Sequence, residues 1–230
     1  WPLKATMKTI ALFNPHSGSV SADGGERLRV ALENAGVRGA DIIQTDAGDC
    51  IGQLKSLAAQ QPDLFVVWGG DGTLKGALET VGQITPNLLL LPGGTMNLLP
   101  KSIHGEKTWE QIITDVMASP KRQMLPAGKV SDELFFCAML AGAPARFAEA
   151  RESLRRGDLV KAASEARAAI DTLNSLHLDA RYGDGYSFEG GRLPTTSIIG
   201  AVVGSLTKEG KGMEVAALAS PTTGGALNVV

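Results

Sequence analysis

The run Trp68-Gly69-Gly70-Asp71-Gly72-Thr73 follows the apolar stretch Leu64 to Val67 and precedes a helical pattern of Leu74, Ala77, Leu78 and Val81. A strand feeding a glycine turn feeding a helix N-terminus presents backbone N–H groups to an anion, phosphate above all. Gly69, Gly70 and Gly72 are expected to let the main chain take positive φ and approach a ligand closely, with Thr73 capping the helix. Asp71 adds a carboxylate at the mouth of the turn. A carboxylate beside a phosphate is repulsive unless a cation lies between them, so the turn points to a metal-bound nucleotide polyphosphate rather than a bare anion. The plain alternative is a tight strand-to-helix turn with a structural cap, since short glycine motifs recur without a ligand.

The elements that must position this turn alternate in type. Thr9 to Phe13 reads as a buried strand ending in Asn14-Pro15-His16-Ser17-Gly18, and a helical pattern follows with Leu28, Leu32 and Ala35, stopped by Gly36. Asp41 to Gln44 is a second strand, ending at Thr45, and Asp49 then caps a helix carrying Ile51, Leu54, Leu57 and Ala58. After the Leu74 helix, Asn87 to Leu91 is a fourth strand that also ends in glycines, Pro92-Gly93-Gly94-Thr95-Met96-Asn97. Trp109, Ile112, Ile113, Val116 and Met117 fall on one face of a helix closed by Ser119-Pro120. Strands alternating with helices imply an α/β fold, a Rossmann-like, mostly parallel sheet with helices on both faces, whose ligands bind beyond the carboxyl ends of the strands. Asn14 to Gly18, Thr45, Gly69 to Thr73 and Gly93 to Asn97 should line that one edge.

The second half changes character near Pro120 to Pro126. Phe135 to Leu140, Leu178 to Tyr182, Tyr186 to Glu189, Thr195 to Val203, Glu214 to Leu218 and Leu227 to Val230 read as strands, with Gly183-Asp184-Gly185 as a hairpin turn. Short turns between strands imply an antiparallel, β-rich domain over 123–230, set against a nucleotide-binding domain over 7–122. A helical insertion over about 145–174 interrupts it, with Gly157-Asp158 as the break. Leu227 to Val230 is apolar to the last residue, which leads us to expect further chain that completes this domain.

With 43% hydrophobic and 20% charged residues the chain is globular rather than disordered, and a net charge of −2 without long like-charge runs excludes a nucleic-acid-binding arm. Cys50 and Cys137 make no disulfide framework or zinc cluster and fit a reducing compartment. No apolar run approaches membrane-spanning length, so a cytoplasmic protein, at most peripheral to a membrane, is expected. His16, His104 and His177 have no metal-ligand spacing. The Gly204 to Gly212 segment lacks the hydroxyl a P-loop needs and reads as an exposed loop. Arg146, Arg151, Arg155, Arg156, Lys161 and Arg167 decorate the helical insertion. They could meet an anionic membrane, although the acidic residues between them also fit a solvated face.

NPHSG after the first strand, GGDGT after the third and PGGTMN after the fourth together resemble the diacylglycerol kinase catalytic-domain family, which includes bacterial lipid kinases and sphingosine and ceramide kinases and is distantly related to NAD kinases. The resemblance implies transfer of the γ-phosphoryl of ATP, with Mg²⁺, to a lipid hydroxyl, in a protein whose second domain is β-sandwich-like. Carried over, the nucleotide would be surrounded by Asn14, Ser17, Gly18, Thr45, Gly69, Gly70, Asp71, Gly72, Thr73, Gly93, Gly94, Thr95 and Asn97, with Asp71 the catalytic and metal-answering carboxylate. The implied partners are a lipid, the periphery of a membrane and a second copy of the chain, with no nucleic acid. Several departures bear on activity. The family's asparagine-aspartate pair is Asn97-Leu98 here, Gln123 to Gly128 lacks an aspartate the family commonly has, and Gly224 stands where a family Asp-Gly pair holds magnesium. The family's general base would lie past Val230. A catalytically impaired nucleotide- or lipid-binding homologue and a soluble-substrate kinase of the NAD-kinase type are the two rival readings.

Overall fold

The computed structural model describes residues 7–45, 48–82, 84, 87–121, 125, 128–130, 133–175, 178–181, 192–202 and 213–219. The chain divides into two compact units, Trp1–Leu125 and Pro126–Val230.

In the first unit, β1 (Thr9–Phe13), β2 (Asp41–Gln44), β3 (Leu64–Gly69) and β4 (Leu88–Pro92) form a parallel sheet in the order β2-β1-β3-β4. One line of register runs through Gln44, Phe13, Trp68 and Leu91, so the segments that follow all four strands leave the same edge. From β1 the chain goes outward to β2 and then crosses to the other side of β1 to make β3. That reversal puts a topological switch point between β1 and β3, where open α/β sheets have their ligand crevice.

Both faces of the sheet are buried. Ala11, Phe13, Val66, Trp68, Leu89 and Leu91 share one core with Leu28 and Leu32 of α1 (Gly24–Asn34) and with Trp109, Ile112 and Ile113 of α5 (Trp109–Ala118). The alternate strand residues, Ile10, Leu12, Phe65, Val67 and Leu90, are as deeply buried, on the side where α2 (Cys50–Ala58) and α3 (Asp71–Thr80) pack on each other and α3 on β3. Period-two strands covered on both faces explain the near-continuous apolar runs in the sequence. Trp68 and Trp109 join sheet to helix with ring centroids 4.4 Å apart. The helix starts follow their caps: Asp49 accepts the Gly52 N–H at 3.0 Å, and Thr108 with Gln111 forms a capping box. Gly36, at φ +88°, closes the turn after α1.

A further helix, α4 (Leu98–His104), was not apparent in the sequence. It has only seven residues, begins with two leucines and a proline after a left-handed Asn97 (φ 53°), and ends at Gly105 (φ 73°).

In the second unit, β9 (Arg192–Val202) pairs antiparallel with β7 (Ala138–Gly142), β8 (Leu178–Arg181) and β10 (Met213–Ala219), while β5 (Gly128–Val130) and β6 (Glu133–Phe135) form a separate antiparallel pair. The strand expected over Phe135 to Leu140 is thus two, broken at residues 136–137, and its parts join different sheets. Helices α6 (Ala143–Arg155) and α7 (Leu159–Ser175) pack on each other, with Gly157 (φ +81°) in the connection as the glycine there predicts. The strands read at 186–189 and 227–230, the turn at 183–185, the 204–212 loop, the 221–227 segment and His177 lie outside the described residues.

Candidate functional site

The site begins as three loops that hold one another. Asn14 continues β1 by donating its N–H to the Trp68 carbonyl (2.9 Å), and its Nδ2 donates to Thr73 Oγ1 at 2.9 Å. Ser17 Oγ accepts the Gly70 N–H at 3.0 Å. Ser19 donates its N–H to the Gly93 carbonyl at 3.0 Å, and Gly93 donates to the Gly69 carbonyl at 2.8 Å. The loop after β1 therefore clasps both glycine turns. Within the fourth-strand loop, Asn97 Oδ1 accepts the Gly94 N–H (2.7 Å) and Nδ2 donates to the Gly94 carbonyl (2.9 Å).

The glycines divide by what crowds them. None of Gly69, Gly70, Gly72, Gly93 and Gly94 has positive φ, contrary to the expectation from the turn. A Cβ on Gly94 would lie 2.8 Å from the Cα of Gly70, one on Gly93 3.0 Å from the Cα of Gly69, and one on Gly18 2.9 Å from Thr95 Oγ1. At Gly93 and Gly94 backbone meets backbone, and at Gly18 backbone meets the Thr95 hydroxyl. Gly72 differs: a Cβ there would meet nothing within 4 Å.

At the start of α3 the helix cap is Gly70, not Thr73; Thr73 lies in the first turn, where its hydroxyl serves Asn14. The first-turn N–H groups of Asp71, Gly72 and Thr73 have no acceptor within the helix. They open beside the exposed Gly72 and Thr95, and donors so placed can receive an anion.

Asp71 turns the other way. Its Oδ1 accepts the Leu99 N–H at 3.0 Å and its Oδ2 the Leu98 N–H at 3.2 Å, joining the start of α3 to the start of α4. Among the described residues no three His, Cys, Asp or Glu side chains gather into a metal site. Each Asp71 oxygen keeps a further lone pair, but one carboxylate makes no all-protein cage, so a Mg²⁺ here would draw its other ligands from phosphate and water.

Thr45 stands somewhat apart. It is buried at the end of β2, on the far side of β1 from β3, and donates its N–H to the Phe13 carbonyl at 2.9 Å. His104, at the end of α4, is partly buried; burial pushes its imidazole below the ordinary value, the Lys107 charge adds to this, and a hydrogen bond with the Leu90 backbone opposes it. A hollow of about 450 Å³ lies away from the glycine loops, along the edge strand β2 between Arg29, Ile42, Ile43 and Leu57.

Sequence reasoning missed Ser19 and the Leu98 and Leu99 amides. Ser19 sits one residue past the motif that drew notice, and the amides become donors only because α4 exists.

A parallel sheet with its polar loops gathered at a switch point and a helix N-terminus opening among glycines defines an α/β domain with its loop cluster at one sheet edge. Residues 8–130 match the diacylglycerol kinase catalytic domain, and the chain belongs to that family. A diacylglycerol kinase of Mycobacterium tuberculosis is 27% identical over 129 residues, a match that takes in 55% of this chain and 41% of the relative. NAD kinase 1 of Parasynechococcus marenigrum is 31% identical over 96 residues, 39% of this chain and 30% of the relative. The chain thus spans well under two thirds of the length of the curated relatives it matches. A provisionally named diacylglycerol kinase from Bacillus anthracis has the same fold at 18% identity, with a TM-score of 0.67 over 93% of this chain and 76% of the other.

Proposed function

We propose that the chain binds ATP at the loops following β1, β3 and β4 and serves transfer of its γ-phosphoryl group to the hydroxyl of a diacylglycerol- or sphingoid-type lipid. The observation that carries the nucleotide half is Gly72: its missing side chain answers to no neighbour and no unusual φ, and it lies in the first turn of α3, where free N–H groups favour phosphate. Asn14 donates to Thr73 and Ser17 Oγ accepts the Gly70 N–H, so in this reading these three side chains shape the loop rather than grip the ligand. Family membership supports the kinase class, and the diacylglycerol kinases among the relatives support the lipid.

The α6–α7 pair supports contact with a membrane periphery. Leu154, Leu159 and Val160 are 57%, 66% and 83% exposed around the turn between the helices, where Arg155, Arg156 and Lys161 stand beside them. Arg155 and Arg156 share Glu152 as an ion-pair partner, and exposed apolar side chains beside such a net-cationic cluster suit an anionic lipid surface. In the proposed domain organisation the first unit takes the nucleotide and the second the lipid. The departures at Leu98 and Gly224 keep an impaired homologue in play, and the NAD kinase relative keeps a soluble substrate in play.

Titration calorimetry with ATP tests the first half, and thermal unfolding accompanies it: ligand at a hundred times its Kd should add about 2.7 kcal/mol of stability. No heat and no shift with ATP or ADP defeat the nucleotide reading. Product analysis with diacylglycerol in mixed micelles, and separately with NAD, then assigns the acceptor. Phosphatidic acid supports the proposal, NADP moves the chain to the soluble-substrate class, and ATP binding without either product marks the impaired homologue. Leu159→Glu with Val160→Glu should abolish co-sedimentation with vesicles containing phosphatidylglycerol while leaving ATP binding intact; undiminished co-sedimentation removes the hairpin from the proposal.

A further inference from the structure

The carboxylate expected to answer a metal accepts a backbone N–H on each of its oxygens. Asp71 receives the Leu98 N–H on Oδ2 at 3.2 Å and the Leu99 N–H on Oδ1 at 3.0 Å, across 27 and 28 residues of chain. Leu98 and Leu99 open α4, so their N–H groups are first-turn donors that the helix cannot satisfy itself. The residue placed to cap them is Asn97, but it lies in the left-handed region and its side chain turns back to Gly94 at both ends. Asp71 therefore supplies, from a neighbouring helix, the cap that α4's own N-cap residue does not. A negative charge at a helix start with two charge-assisted hydrogen bonds is strongly favoured.

The joint has a consequence for the site. On the other side of the same contact, Gly94 lies against Gly70 so closely that a Cβ on Gly94 would be 2.8 Å from the Cα of Gly70. The Gly93 N–H to the Gly69 carbonyl and the Gly70 N–H to Ser17 Oγ already give this contact direction, and the Asp71 pair adds a link from α3 to α4 beside them. We infer that Asp71 is a positioning residue, tying α3 to α4 through the Leu98 and Leu99 amides, so that the glycine turn is held closed by a side chain that neither binds the metal nor touches the nucleotide. The effect on nucleotide affinity rests on the proposed nucleotide reading; the effect on the two amides does not.

The test uses the whole chain. In metal-free wild type, the Leu98 and Leu99 amides should exchange slowly with solvent, and Mg²⁺ alone at millimolar concentration should leave their NMR signals where they were. In Asp71→Asn the two amides should exchange about tenfold faster or more, because one acceptor oxygen is replaced by a donor and the charge is gone. Affinity for ATP should fall by one common factor in EDTA and in Mg²⁺. Fast exchange at both amides in wild type overturns the inference, and that measurement stands even if Asp71→Asn does not fold. Movement of the two signals on adding Mg²⁺ alone overturns it as well. So does a variant that binds ATP like wild type in EDTA but has lost the gain from Mg²⁺. If wild type binds no ATP under any condition, the nucleotide reading fails while the exchange data still decide the joint.

Discussion

Two parts of one loop cluster use glycine for opposite reasons. Along the seam between the third- and fourth-strand loops, Gly93 and Gly94 are required because a Cβ on either would meet the main chain of Gly69 or Gly70. At the opening of α3, Gly72 faces open space. The seam is thus finished within the protein, with its amides and carbonyls bonded to Ser17, Ser19, Asn97 and one another. The α3 start is complete only when something else supplies acceptors for its first-turn N–H groups. GGDGT here therefore holds a crowded glycine, Gly69, and an open one, Gly72, and only their surroundings separate them.

The contrast predicts substitutions of opposite sign. Gly94→Ala must part the loops, since its Cβ would also lie 3.2 Å from Asn97 Oδ1, and overpacking of this kind costs about 1–3 kcal/mol. Urea unfolding should report that loss together with a sharp fall in ATP affinity. An alanine at 94 as stable as wild type would mean the seam is not close-packed. Gly72→Ala should do the reverse: in a helix, without steric conflict or positive φ, it should leave stability unchanged or raise it by up to about 1 kcal/mol. ATP affinity should nevertheless drop about tenfold, as a methyl group intrudes on a surface that phosphate approaches. Unchanged affinity in a fully folded Gly72→Ala protein would remove that residue from the ligand surface and leave the comparison with one side only.

What the sequence disclosed follows the same division. Strands β1 to β4 and helices α1, α2, α3 and α5 were legible because each carries its own periodicity and stop signals, such as Gly36 after α1 and Ser119-Pro120 after α5. The three loops were legible because their composition is rare between such elements. The direction in which each loop residue points was not. Thr73 reads as a cap from its place after the glycines, yet Asn14, fifty-nine residues away, takes its hydroxyl. Asp71 reads as a metal ligand from its position before phosphate, yet α4 takes both oxygens, and α4 was hidden because seven residues with a proline show no helical period. The break of the strand near Phe136 was hidden for a related reason: an apolar run does not reveal that its two ends pair with different partners.

The smallest effect comes from acid, and it should fall on the seam's side alone. His104 closes the last turn of α4, and burial holds its imidazole below the ordinary value. As pH falls past about 6.5, the unfolded chain takes up a proton that the folded chain refuses, so stability is lost with acidification until the lowered folded value is reached, and the loss is constant below it. Because the ring is only partly buried, the slope should stay well under about 1.4 kcal/mol per pH unit. Urea melts of wild type and His104→Asn at pH 7.5, 6.5 and 5.5 isolate this contribution, since the amide does not titrate and other groups cancel in the difference. The wild type should lose stability faster than the variant over that range, and Leu98 and Leu99 amide exchange should quicken with it while the residues opening α3 keep theirs. Parallel slopes would take His104 out of the account, and acid-quickened exchange shared equally by α3 and α4 would show that the seam and the α3 start respond as one body.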